Sequence, residues 1–110
     1  MDKEKFVEIL KSIEIPTNEG IQNDKNTNKY PRIVYWDYAW EPMVASECLY
    51  STKVTYQVSF FSNKPRDEKL IELRNNLASN KVFPFIEHEY IEKDRCFHSF
   101  FAVEVLENIE

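Results

Sequence analysis

At 110 residues and 13.2 kDa the chain fits one domain, 1–110, able to bury roughly two-thirds of its unfolded surface without staples. A single glycine, Gly20, excludes the Gly-rich phosphate cradles of P-loop and dinucleotide folds, which need several closely spaced ones. Fourteen Lys and Arg against nineteen Asp and Glu leave a net charge of −5 and no basic footprint for nucleic acid.

The imbalance is local: residues 82–110 hold seven carboxylates against Lys93 and Arg95. Cys48 and Cys96, with no leader behind the charged start Asp2-Lys3-Glu4-Lys5, suggest reduced thiols in a cytoplasmic protein. No apolar run approaches the roughly 18 residues a membrane span needs.

In chain order, Phe6, Ile9, Leu10 and Ile13 recur at helical spacing against a charged face, with Asp2 as N-cap and Pro16 as the stop. Residues 17–29 read as a mobile polar loop. Arg32 to Tyr38, rich in β-branched and aromatic residues, reads as a strand. Residues 39–51 read as an apolar loop, interrupted by Pro42, whose Trp40, Met43, Val44 and Leu49 fold back on the sheet or meet another chain.

Val54, Tyr56, Val58 and Phe60 then alternate with Lys53, Thr55, Gln57 and Ser59, the pattern of a half-buried strand. A second helix follows, with Pro65 in its first turn, Leu70, Leu73 and Leu77 inside, and Asn80 ending it left-handed. Val82 to Tyr90 contains Pro84 and so predicts an edge strand or a bulge. A turn at Glu92-Lys93-Asp94 leads into the strand Cys96 to Leu106. The fold class is α+β: two helices on one side of a mainly antiparallel four- to five-stranded sheet, order α-β-β-α-β-β.

Catalytic constellations are hard to build from these residues. His88, Cys96 and His98 approach one another if register places His88 opposite His98, but their spacing matches no standard zinc pattern. Ser99 and His98 are strand neighbours and point to opposite faces, so they form no dyad. Glu87 and Glu89 share a face that reads as protection of an edge. The expectation is no enzyme, no catalytic or metal residue and no cofactor.

The runs Tyr30-Pro31-Arg32-Ile33-Val34-Tyr35 and Lys53 to Phe61, and the Ser62-Asn63-Lys64-Pro65-Arg66-Asp67 bridge into a Leu-rich helix, carry a resemblance. So do Phe83 to Glu92 and the closing Phe101 to Val105. Together, over about residues 30–107 plus the first helix, they resemble the tail completion (tail terminator) proteins of tailed phages.

That resemblance implies a virion-assembly protein. It would form a self-assembled ring, a hexamer in that family, capping the tail tube, stopping its polymerisation and meeting the head-side connector protein where heads exist. Its partners would be itself, the tube protein and that connector, with no membrane and no sequence-specific nucleic acid. It would work first in the bacterial host cytoplasm and then in the particle.

The apolar 39–51 segment and the aromatic 97–101 run depart from the family pattern, leaving open a flexible-tailed, contractile or headless particle. Closed rings join two different patches. The sequence offers Trp40, Met43, Val44 and Leu49 as one and Phe85 and Ile86 as the other. An acidic C-terminal third facing a lumen would repel passing DNA. The alternative is a stand-alone inhibitor or immunity protein that binds one protein partner. A metal-dependent enzyme at His88, Cys96 and His98 is a third reading.

Overall fold

The core is one apolar cluster in which Phe6, Ile9, Leu10 and Ile13 meet Leu70, Leu73 and Leu77 over alternating strand residues. The computed structural model describes residues 1–20, 29–45 and 48–109, with the side chains of 45–50 outside the description. The elements are α1 (Lys3–Lys11), β1 (Thr17–Glu19), β2 (Arg32–Ala45), β3 (Cys48–Ser62), α2 (Glu68–Ser79), β4 (Glu87–Ile91) and β5 (Cys96–Glu107).

Asp2 caps α1, its carboxylate accepting from the Lys5 amide at 2.8 Å. The helix ends at Lys11, ahead of Pro16, and the chain turns through Glu14 in the left-handed region (φ 55°). Asp67 caps α2: one oxygen accepts from the Lys69 amide at 2.9 Å, the other from the Ser62 hydroxyl at 2.6 Å. Pro65 therefore lies outside the helix. Lys81 (φ 65°), rather than Asn80 (φ −103°), takes the left-handed position after it.

The five strands run in the order β1-β2-β3-β5-β4. The expected mainly antiparallel sheet is corrected to a mixed one, because β1 pairs in parallel with β2 while the other neighbours are antiparallel. The element order is likewise α-β-β-β-α-β-β. Thr17–Glu19, expected in a mobile loop, is that added strand, held by pairing to Ile33–Tyr35; residues 21–28 lie outside the described residues.

Residues 39–51 are corrected more sharply. Their described part is the end of a long hairpin, with Trp40 opposite Val54 and Met43 opposite Ser51. The expected strand 82–90 contracts to Glu87–Ile91, at the sheet edge, with 82–86 carrying no strand. No described helix is long and apolar enough to cross a membrane.

Register sorts every side chain. Ile33, Phe60 and Ser99 stand in one row facing the helices, as do Tyr35, Val58 and Phe101. Arg32, Phe61, His98 and Glu89 form a row on the open face, one residue from each of four strands.

Candidate assembly interface

The β2–β3 hairpin outgrows the sheet. β5 pairs with β3 only from Thr52 to Ser62, and β1 covers β2 only from Ile33 to Tyr35. Among the described residues, the outer edge of β2 beyond Tyr35 has no partner strand. Pro42 sits there because an edge strand tolerates a residue with no amide hydrogen. The molecule is correspondingly long, 51 × 29 × 22 Å.

The sequence that builds this arm is apolar without being buried. Trp36, Tyr38, Trp40, Met43 and Val44 are all exposed, Trp40 at 61% and Val44 at 64%. Tyr38 is the extra residue of a β-bulge between Asp37 and Ala39. Its ring packs edge-on against Trp36 at 5.9 Å. Trp40 is braced by its indole N–H, which donates to Asp37 Oδ2 at 2.6 Å.

Lys53 anchors the arm's base between Glu41 at 2.9 Å and Glu104 at 3.7 Å. The hydrogen bond that Lys53 donates to Glu41, then the charges of Glu104 and Glu41, raise the Lys53 pKa. These groups are solvated and hold the arm's geometry rather than its stability.

A second apolar surface lies at the far end of the sheet. α2 and residues 84–88 enclose a cleft of about 550 Å³, floored by Leu70 and Ile86 and walled by Ile71, Pro84 and Phe85. Arg66, Arg74 and His88 stand at its margin. Phe85 is 81% exposed, whereas Ile86 packs against the core and precedes β4, so it offers no strand edge.

Of the interface residues expected from sequence, Trp40, Met43 and Val44 share the arm, and Phe85 and Ile86 share the cleft. The backbone of Leu49 pairs with Val44; its side chain lies outside the described residues.

The two histidines part company. His88 lies opposite Ser99 and His98 opposite Glu89, so the condition for a site joining the two histidines, His88 opposite His98, is not met. His88 Nδ1 is 2.7 Å from Ser99 Oγ on the helix side. His98 Nδ1 is 2.8 Å from Glu89 Oε1 on the open side. Among the described residues no group of three or more His, Cys, Asp or Glu is placed to hold a metal.

The His88–Ser99 pair escaped sequence reasoning because eleven residues and a turn separate its members. Among the described residues no carboxylate orients His88, so the pair lacks the third member that hydrolytic triads use.

No family model matches the chain, and no curated protein matches it in sequence.

Aromatic order continues across the open face. Arg32 lies over the rings of Tyr30 at 4.8 Å and Phe61 at 4.5 Å. Phe61 stacks on His98, and His98 on Phe100. This ladder lies toward the Ser62 end of β3, away from the Glu41–Lys53 base of the arm.

Proposed function

We propose that this chain is a structural assembly subunit of a phage or phage-tail-like particle, forming a ring that caps the tail tube. The ring would stop tube polymerisation and join the tube to the head-side connector where heads exist. One observation carries the reading: the β2–β3 arm exposes apolar side chains on both faces beside a backbone edge that is unpaired among the described residues. Such a surface is an adhesive element, since unpaired strand groups and exposed aromatics both favour a partner.

The tail-terminator resemblance supplies the context, and the separation of two unlike patches suits the heterologous contacts of closed rings. The outer edge of β4 is a further backbone template available to the tube. A cap acts by occupying the growing end while presenting a different surface above it. The subunit would be made in the bacterial host cytoplasm and carried into the particle.

The test is tail length, seen by electron microscopy, in cells lacking this protein. Overlong tubes that fail to join heads are expected. Tails of normal length, attached to heads, overturn the reading and favour an inhibitor that binds one protein partner.

A further inference from the structure

Trp40 does not line the cleft of its own chain. It pairs with Val54 on β3, whereas His88, at the cleft, lies level with Phe60 through Ser99. Six residues of strand, about 20 Å, and the intervening strands β3 and β5 separate the two.

Yet the two are chemically complementary. Residues 36–45 carry Asp37 and Glu41 and no Lys or Arg, among exposed Trp36, Trp40 and Val44. The cleft offers an apolar floor, the half-exposed Ile71 and the guanidinium groups of Arg66 and Arg74, with no carboxylate in its lining. Neither arginine has an ion-pair partner among the described residues. An apolar pocket rimmed by unpaired guanidinium suits an aromatic side chain flanked by a carboxylate.

We infer that the cleft between α2 and residues 84–88 receives the β2–β3 arm of a second copy of this chain. Each subunit then gives an arm from the β2 side of its sheet and takes one beside β4, a head-to-tail contact that closes when the rotation between copies allows it. This rests on the ring reading above and specifies which two surfaces meet. Trp40 is the anchor, with Asp37 and Glu41 turned toward Arg66 and Arg74 of the neighbour. The exposed Glu41–Lys53 pair can exchange partners at little cost.

The experiment mixes two full-length variants and reads mass by light scattering. An arm variant carries Trp40→Ser and Val44→Ser; a cleft variant carries Ile71→Glu and Arg74→Glu. All four side chains are solvent-facing, so circular dichroism and melting should match the wild type. Wild type should form a closed oligomer and each variant alone a monomer. Their equimolar mixture should stop at a one-to-one dimer, because only one intact arm and one intact cleft remain.

The milder Arg74→Gln should weaken association about tenfold and reduce its salt dependence, and it serves as the cleft variant should the double change fail to fold. A cleft variant that still closes into the wild-type oligomer, or a mixture that stays monomeric, overturns the arm-in-cleft contact while the ring stands. A wild type that is monomeric alone and on purified tail tubes overturns the ring reading and this contact together.

Discussion

Phe61 and His98 stack across neighbouring strands with ring centroids 4.6 Å apart and planes only 8° from parallel. The register makes this contact obligatory, since the two residues are direct partners on one face. His98 is also sandwiched by Phe100 at 4.9 Å and fixed by Glu89. Its Nε2 is buried with no hydrogen-bond partner among the described residues. The imidazole therefore serves as a flat packing element with one polar atom at a disadvantage.

His98→Phe should accordingly keep the stack and remove the orphaned nitrogen. Thermal unfolding should move by less than about 1 kcal/mol in either direction. His98→Ala, which empties the sandwich, should cost about 2 kcal/mol. Equal losses for both substitutions would show that the Glu89 contact, not stacking, matters.

In the core, Leu73 is fully buried between the helices and the sheet. Leu73→Ala should destabilise by about 3 kcal/mol, from lost burial plus the cavity left behind. Ile71→Ala, two residues away on the exposed side, should cost under about 0.5 kcal/mol by chemical denaturation. A similar cost at both positions would refute the assigned helix face.

These two positions also show what was legible in advance. Leu70, Leu73 and Leu77 repeat at helical spacing because one face of α2 is dry, and Val54 to Phe60 alternate because one face of β3 is dry. The arm obeys neither rule. Both of its faces meet solvent, so Trp36, Trp40, Met43 and Val44 leave no in-out pattern, and Pro42 reads as a breaker where an open edge tolerates it. Thr17–Glu19 was equally hidden, three residues made strand only by the β2 edge beside them. The cleft depends on a tertiary meeting of α2 with residues 84–88, of which the sequence showed Phe85 and Ile86 as a patch but not the helix face they meet.

Alkaline stability should report on Tyr56. Burial, then the hydrogen bond its O–H donates to Glu107 Oε2 at 2.7 Å, push the phenol well above its ordinary pKa. A folded pKa above the unfolded one favours the protonated phenol in the native state. Its contribution is therefore whole below about pH 10, the unfolded value, and is lost as pH climbs beyond it. Burial and Glu19 shift Tyr35 the same way, so both groups act in one window. Wild-type stability should fall above pH 10 by up to about 1.4 kcal/mol per pH unit for each such proton. Tyr56→Phe should lower stability at neutral pH by about 1 kcal/mol and flatten that fall. An unchanged alkaline slope in the variant would assign the effect to other groups.

The bulge at Tyr38 sets where the arm points. An extra residue on one strand bends it and tightens its twist, and here the bend falls where β2 leaves the cover of β1. Tyr38 is half exposed and packs only on the likewise exposed Trp36, so it adds little to the core. Deleting it should leave the flanking pairs Asp37–Tyr56 and Ala39–Thr55 in place while straightening the ribbon. Fold stability should then change by no more than about 1 kcal/mol. Assembly should fail, because Trp40 is re-aimed away from the cleft proposed to receive it on a neighbouring subunit. Tyr38→Ser, which keeps the bulge and removes the ring, should assemble far better than the deletion. Light scattering on both variants checks the order, and equal assembly of the two would show that the bend is incidental.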